Sequence, residues 1–399
     1  MIKTEKRKKV VFFVSGFIVG GVETVFVNTI EELLKNPNLE ISIVTHMKPR
    51  EALYADWLKS HPEIPVYTYF PLGNWFQDLE PKCHGILKPV RRITFSLYKR
   101  YRRFIWRNKF KNMDVLIDYK NGEFYRELSY VNKPKVTWFH SALCYFERDI
   151  NFLKKIPRYT KIVCLTEDFK NKFNSKYPAY SDKLVHIYNP INVKHIQQLS
   201  KQEKSPRGKY FCHVSRLDRG KDIKTLLDAF ELFYKSHKDV KLYIIGDGPL
   251  ANTHKSYAST LKSSKNIIFT GTQYNPYVFM KGALANILST EFEGLPTVVL
   301  ESVALEVPCI SADCESGPRE ILLDGKGGLL FEIGNSKQLC EHMLNVYSGN
   351  IDKENMIKNM KKSISRFTSS VIAQQIYEMI QNLTKEKENE KKYLGQYVI

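Results

Sequence analysis

The sequence predicts an α/β protein made of two doubly wound parallel-sheet domains facing a central cleft. Three observations point there. The chain opens with an apolar run, a glycine loop, an amphipathic helix and a second apolar run, which is how a doubly wound domain begins. A polar stretch with Pro and Gly interrupts the chain near its middle, at residues 197–209. Beyond it the same alternation starts again, so both domains read as Rossmann-like. A length of 399 residues suits two to three domains, and 43% hydrophobic residues, with 23 Tyr and 23 Phe, are ample for their cores.

Residues 10–15 are the first apolar run, and Gly16 to Gly21 form the loop after it. Val22, Val25, Phe26, Thr29, Ile30, Leu33 and Leu34 then recur at helical spacing. Residues 41–45 are the second apolar run, and further strands are predicted at 115–118, 136–139, 161–165 and 184–188. After the 197–209 linker, strands are predicted at 210–214, 242–245, 266–269, 285–288, 308–311 and 328–331, with a helix from about Asp222. The domains so defined are 1–199 and 206–370, followed by a C-terminal helix and charged tail at 371–399. In that tail Lys385 to Lys392 alternates Lys and Glu, as a solvated helix end or a disordered segment does.

Composition narrows the class. Seven cysteines, at 83, 144, 164, 212, 309, 314 and 340, form no C-x-x-C and no Cys/His cluster with zinc spacing. Reduced thiols in a cytoplasmic protein are expected. Basic residues from Lys3 to Lys9 precede an apolar run to Val22, which resembles a signal peptide, but no small-x-small cleavage site follows. Gly16, Gly20 and Gly21 also break the run too early for a bilayer span. It reads as a first buried strand and its loop. The net charge of +19 is uneven: residues 1–200 hold 34 Lys/Arg against 19 Asp/Glu, and residues 201–399 hold 27 against 23. The first half therefore faces something anionic, and nucleic acid and an acidic membrane both fit at this level.

The most informative segment is Glu293-Gly294-Leu295-Pro296-Thr297-Val298-Val299-Leu300-Glu301. Its Gly/Pro pair marks a tight turn and its apolar run a buried element. A helix starting near Thr297 puts Glu301 about one turn in. The N-terminus of that helix offers unpaired N–H groups and the positive end of a dipole, a ready site for phosphate. One segment thus supplies a diphosphate cradle with a carboxylate on either side for sugar hydroxyls. Arg216 and Lys221 follow the first strand of the second domain beside a Gly turn, where cations suit a diphosphate. Arg219 reads as surface. Gly246-Asp247-Gly248-Pro249 follows the next strand, and His140 ends the apolar strand from Val136. Taken alone, both fit a plain structural position as well as a ligand contact.

The two-glutamate segment resembles the motif of family 4 glycosyltransferases, which are retaining enzymes of the GT-B fold and include bacterial enzymes of surface polysaccharides. The resemblance covers most of the chain and is strongest from about 208 to 335. It implies that Glu293 contacts the donor sugar and Glu301 the nucleotide ribose. Family members commonly carry Phe-Gly-Leu after Glu-Gly, where this chain has Leu295-Pro296-Thr297. Pro296 has no N–H, so after Gly294 the diphosphate relies on Leu295, Thr297 and Val298. Arg216 and Lys221 resemble the family's Arg-x4-Lys pair, which neutralises the leaving nucleoside diphosphate. Gly246 stands in the matching donor-side loop. Gly20 and Gly21, with Glu23, resemble the first-domain glycine loop that approaches donor phosphate and acceptor, where a side chain would block the backbone. His140 matches the histidine that hydrogen-bonds the donor sugar. Ser316-Gly317-Pro318-Arg319-Glu320 resembles a loop of bacterial members, and Glu320 there either caps the next helix or touches ligand.

Lys88 to Lys111 holds ten Lys/Arg and no Asp or Glu, with Leu97, Tyr101 and Phe104 or Ile105 at helical spacing and Trp106 nearby. That fits an interfacial helix on an anionic membrane surface, and equally a solvated helix with one core face. No zinc-finger, RRM or helix-turn-helix signature accompanies it, which argues against nucleic acid. No Asp-x-Asp triplet occurs, so no metal or other cofactor is expected and the positive charge falls to Arg216, Lys221 and helix dipoles. The resemblance implies a retaining hexosyltransferase that takes a nucleotide-diphosphate sugar, UDP-linked, to a glycan or lipid-linked acceptor. Polysaccharide or capsule synthesis in the cytoplasm, peripheral at the inner face of the membrane, is the implied setting. A nucleotide-sugar 2-epimerase on the same fold and a non-catalytic glycosyltransferase-like scaffold are the rival readings. The first needs no acceptor, and the second has no need of Arg216, Lys221, Glu293 and Glu301.

Overall fold

The computed structural model describes residues 7–15, 21–46, 52–72 and 87–396. They divide into two compact units. The first comprises Met1–Cys164, Lys170–Ile187 and Ala373–Ile399, and the second Leu165–Phe169 and Tyr188–Ile372. The C-terminal helix from Ala373 onward therefore groups with the first unit.

In the first unit the strands are β1 (Lys8–Val14), β2 (Leu39–Thr45), β3 (Val66–Thr68), β4 (Val115–Asp118), β5 (Lys135–Phe139), β6 (Lys161–Cys164) and β7 (Leu184–His186). They form one sheet in the order β3-β2-β1-β4-β5-β6-β7, with parallel pairings. A parallel sheet covered on both faces needs strands that are apolar throughout rather than alternating. Val10 to Phe13 and Val115 to Ile117 meet that need and are fully buried. The first part of the run that resembles a signal peptide, up to Val14, lies in β1, held between β2 and β4. The helix Gly21–Leu33 buries Val25, Phe26, Thr29, Ile30 and Leu33, the stripe its periodicity predicts.

The second unit repeats the plan with β8 (Tyr210–Val214), β9 (Lys241–Ile245), β10 (Ile267–Gly271), β11 (Asn286–Leu288), β12 (Cys309–Ala312) and β13 (Leu329–Phe331). Their order is β10-β9-β8-β11-β12-β13, again parallel. Leu226, Phe230 and Phe233 of the helix Ile223–Tyr234 join Leu242, Ile244, Ile287 and Met343 in its core. In each sheet the strand order reverses beside the first strand, between β1 and β4 and between β8 and β11. Ligands of doubly wound sheets bind outside the carboxyl ends of strands at such a switch point.

Three expectations change. The strand β3 has no counterpart in the sequence reading, because it is a three-residue edge strand without a fully buried residue. The linker shortens: the helix Val193–Leu199, capped by Asn192 Oδ1 on His195 N (3.1 Å), takes its first three residues. Lys385 to Lys392 lies within the helix Ser369–Gln396. Gly16 and Gly20 of the first glycine loop lie outside the described residues, as does Cys83. The other six cysteines are free. No helix among the described residues is long and apolar enough to cross a membrane.

The carboxyl end of β4 carries a buried staple. Asp118 is fully buried and accepts hydrogen bonds from Tyr159 OH (2.5 Å), Phe124 N (2.8 Å) and Lys120 N (3.2 Å). These bonds hold the turn through Asn121 and Gly122, both at positive φ, against the sheet. Burial pushes the Asp118 carboxyl up to about 7, against the pull of the three donors. Between its ordinary value and that value the folded protein keeps a proton that the unfolded chain has lost. Stability from this group is therefore full in acid and declines as pH rises through about 7. Tyr159→Phe removes one donor. It is expected to destabilise the protein by about 1–3 kcal/mol at pH 8, where the carboxylate is charged, and by less at pH 5. Thermal melts at the two pH values check this, and an equal loss at both would overturn it.

Candidate functional site

The loops that leave β8 and β11 are neighbours at the second switch point, and the backbone sews them together. Thr290 Oγ1 and Glu291 N donate to Gly220 O (2.8 and 3.0 Å), and Ser289 Oγ donates to Lys221 O (2.9 Å). Across this seam Lys221 Nζ lies 2.5 Å from Glu293 Oε1, with side chains only 23% and 16% exposed. The structure thus joins two predicted site residues that stand 72 positions apart. Asp222, left-handed at φ +41°, turns the chain out of the loop and caps the helix Ile223–Tyr234 by accepting from Thr225 N (3.3 Å).

Glycine sets how closely the surrounding loops approach. A Cβ on Gly246, whose φ is +126°, would stand 1.9 Å from Ser215 O, and one on Gly248 would stand 2.4 Å from Leu217 O. The loop after β9 therefore lies backbone to backbone on the Arg216 loop, with Leu217 N donating to Asp247 O (3.0 Å). Close packing on Ser215 O is one constraint that requires a glycine at Gly246. On the other side a Cβ on Gly317 (φ +99°) would meet Pro296 Cδ at 2.4 Å. The loop after β12 is thus pressed onto the Gly294–Pro296 turn, whose Gly294 and Leu295 are buried.

The helix Thr297–Ala304 begins where the sequence places it. Val299 N and Leu300 N both turn back to Pro296 O (3.1 and 3.4 Å). The N–H groups of Thr297 and Val298 have no acceptor among the described residues and face the turn from the positive end of the helix. One turn in, Glu301 has a single hydrogen-bond donor among the described residues, Tyr277 OH at a long 3.4 Å. Burial pushes its carboxyl up to about 7, with Tyr277 pulling the other way. A carboxyl so short of donors suits a ligand that brings hydroxyls.

Arg216 stands apart from the Lys221–Glu293 pair. Its side chain is 70% exposed and its only ion pair among the described residues is a loose 3.6 Å contact with Asp218. In the loop after β12 the two readings of Glu320 resolve toward capping, though of a different helix from the one expected. Its carboxylate accepts from Glu167 N (3.1 Å), at the start of the helix Glu167–Lys176, and from Tyr188 OH, while Arg366 donates to its carbonyl (2.8 Å).

In the first unit His140 follows β5. Its N–H donates to Asn121 Oδ1 (2.8 Å) and Nε2 donates to Tyr119 O (3.0 Å). Burial holds the ring neutral, lowering it to about 4. With the proton on Nε2, Nδ1 is a bare acceptor, and it has no partner among the described residues. Gly21 is the exposed first residue of its helix, and Glu23 in the first turn pairs with Lys120 (3.0 Å). Gly20 lies outside the described residues.

Two supporting residues escaped the sequence reading. His213 is fully buried in β8; its Nδ1 donates to Ile287 O (2.8 Å) and its Nε2 accepts from Ser215 Oγ (2.7 Å). It therefore ties β8 to β11 and fixes the start of the Arg216 loop. One polar residue inside the otherwise apolar strand Tyr210–Val214 was the available signal. Tyr277, the partner of Glu301, gives none, because the contact is made through the fold alone.

Residues 195–363 match the family model of the glycosyl transferases group 1. A lipopolysaccharide 1,6-galactosyltransferase of Salmonella typhimurium is 29% identical over 185 residues, 45% of this chain and 50% of that protein. The N-acetylgalactosamine-N,N'-diacetylbacillosaminyl-diphospho-undecaprenol 4-alpha-N-acetylgalactosaminyltransferase of Campylobacter jejuni is 29% identical over 155 residues, 39% of this chain and 42% of that protein. The chain thus spans about half the length of the curated relatives it matches. Among solved structures, Anabaena HepE in complex with UDP-glucose superposes with a TM-score of 0.72 at 16% identity, over 94% of this chain and 99% of that one. That likeness is one of fold. The chain has the GT-B fold, and within it residues 195–363 match the group 1 glycosyl transferases.

Proposed function

We propose that this chain is a retaining glycosyltransferase, moving a hexosyl group from a UDP-sugar to a glycan or lipid-linked acceptor in cell-surface polysaccharide synthesis. The observation that carries the reading is the Lys221–Glu293 pair at the switch point. Beside it stand the open N–H groups of the helix Thr297–Ala304 and the donor-poor Glu301. The Salmonella and Campylobacter relatives, by their names, act on lipopolysaccharide and on an undecaprenol-linked glycan, and the Anabaena neighbour binds UDP-glucose. Those acceptors and that nucleotide set the classes proposed here.

Lys221 neutralises Glu293. A donor offers each of them a new partner: the diphosphate takes Lys221, and sugar hydroxyls donate to Glu293. Ribose hydroxyls donate to Glu301. The N–H groups of Thr297 and Val298, Lys221 and an Arg216 recruited from solvent carry the diphosphate charge, with no metal required. In transfer, the bond from the sugar C1 to the β-phosphate oxygen breaks as a bond from C1 to the acceptor oxygen forms on the same face. The acceptor proton passes to the departing phosphate oxygen. Such a front-face substitution keeps the anomeric configuration and asks for no protein nucleophile. Within the first unit, the bare Nδ1 of His140 is an acceptor open to a ligand hydroxyl. An anionic membrane surface at the basic segment from Lys88 is the further partner of this setting.

Glu293→Ala is expected to lower transfer about a hundredfold or more, the scale for losing a positioned polar contact at a reacting centre. UDP affinity should hold or rise in that variant, because Lys221 is released from its carboxylate. Lys221→Ala should weaken UDP binding about tenfold or more, the worth of one charge-assisted contact. Transfer assays with product analysis, and UDP titrations by calorimetry, read both. Full transfer in the Glu293 variant, or unchanged UDP affinity in the Lys221 variant, would sink the assignment. A product formed without acceptor would instead show an epimerase.

Hydroxyls donating to Glu301 favour its charged form, so binding should release the proton held below about 7. UDP affinity should therefore strengthen from pH 6 to pH 8, and Glu301→Gln should flatten this part of the profile. Parallel titrations of the two proteins cancel the ionisation of UDP itself. Identical slopes would take Glu301 out of the nucleotide site.

A further inference from the structure

The loop after β12, which presses on the Gly294–Pro296 turn, has a strained backbone where it does so. Ser316 stands at φ +69° and Gly317 at φ +99°. Only the second of these is a glycine. A serine in the left-handed region stays there only where its surroundings hold it, and such residues gather at functional sites. Ser316 lies between two contacts with the donor-side segment. Before it, Glu315 forms a parallel bridge with Phe292, the neighbour of Glu293. After it, Gly317 packs so closely on Pro296 that a Cβ would not fit.

One hydroxyl pair holds this corner. Ser316 is 6% exposed, Thr166 is fully buried, and their Oγ atoms lie 2.6 Å apart. Thr166 is itself fixed, because its Oγ1 accepts from Phe169 N (3.1 Å) in the first turn of the helix Glu167–Lys176. Leu165–Phe169 groups with the second unit, so the pair lies inside that unit although its members stand 150 positions apart. The far end of the loop has several holds on Glu320, from Glu167 N, Tyr188 OH and Arg366. The Ser316 side chain has Thr166 as its one hydrogen-bond partner among the described residues.

We infer that Thr166 is a positioning residue for the donor site. Through Ser316 it sets where Glu315 and Gly317 stand, and through these it sets Glu293 and the Gly294–Pro296 turn. The open N–H groups of Thr297 and Val298 follow the turn. A hydrogen bond suits this task better than apolar packing, because it fixes both a distance and a direction. Losing either hydroxyl leaves the other buried without a partner, so the corner is free to relax. That the positioned groups serve a nucleotide-sugar rests on the function proposed above, whereas the positioning itself does not.

The test compares Ser316→Ala, Thr166→Val, the two combined, and Thr166→Ser in the full chain. Thr166→Val also removes the helix cap and should melt lower, while Ser316→Ala keeps the cap and should melt nearly like the parent. Amide hydrogen exchange without nucleotide is read at Val299 and Leu300, whose N–H groups bond to Pro296 O. It should quicken about tenfold or more in both single variants, the scale for one lost buried hydrogen bond. The double variant should exchange no faster than the quicker single, and Thr166→Ser should match the parent. In transfer, kcat/KM for the nucleotide-sugar should fall about tenfold or more in both single variants, as misplacement near a reacting centre does. Thr166→Ser should restore it. Parent-like exchange in Ser316→Ala, or parent-like kcat/KM in that variant, would overturn the proposal. So would losses that multiply in the double variant, or transfer lost in Ser316→Ala but intact in Thr166→Val, the pattern of a serine that touches the donor itself. A parent that neither transfers sugar nor binds UDP, yet shows the coupled exchange, would leave the Thr166–Ser316 link standing and remove the transferase reading.

Discussion

The second unit is organised around the Lys221–Glu293 contact. A parallel sheet delivers all its loops to one edge, and at the switch point between β8 and β11 the following helices diverge to opposite faces. Left to themselves, the two loops there would bound an open crevice. The hydrogen bonds to Gly220 O and Lys221 O close the seam, and the ion pair fills it. A cation and a carboxylate this far removed from solvent need each other, since either alone would be an uncompensated charge. The pair therefore holds the two loops at the switch point in shape. Under the function proposed above, a diphosphate that draws Lys221 away leaves Glu293 in need of new donors, which sugar hydroxyls supply.

Much of this was legible in the sequence where the signal is local. The strands of the second sheet are mainly apolar runs rather than alternating ones, and they lie within about two residues of the predicted limits. Pro296 fixes the start of the helix Thr297–Ala304 for an equally local reason, its missing N–H. What could not be read depends on contacts distant in sequence. Gly246 reads as part of a donor-side loop, and the close approach of Ser215 O, in the loop of another strand, is a constraint on it that the sequence does not show. The carboxylate of Glu320 is claimed by Glu167 N, 153 positions away. Polar Gln197 reads as linker, yet it sits in a helix and bonds Ala304 O (3.0 Å). For Arg216 the motif gives the residue type but not its conformation, which is out in solvent.

Positive charge is used in two different ways along the chain. In the second unit several basic side chains pair with acids close by, as in Lys224 with Asp228, Arg319 with Asp313 and Lys361 with Glu306, and residues 201–399 hold 27 Lys/Arg against 23 Asp/Glu. Lys221 belongs to that pattern, an ion held by a neutralising partner. The helix Leu87–Lys109 breaks it, with Arg92, Arg100 and Arg107 on an exposed surface and no carboxylate on the same segment. Unpaired charges keep their field out to about a Debye length, roughly 8 Å at physiological salt, and they gather counterions that an anionic surface can displace. An acid placed among these arginines would stabilise the isolated protein slightly and weaken that attraction. The chain instead leaves them unpaired around an exposed apolar stripe, an arrangement that favours association over the stability of the free protein.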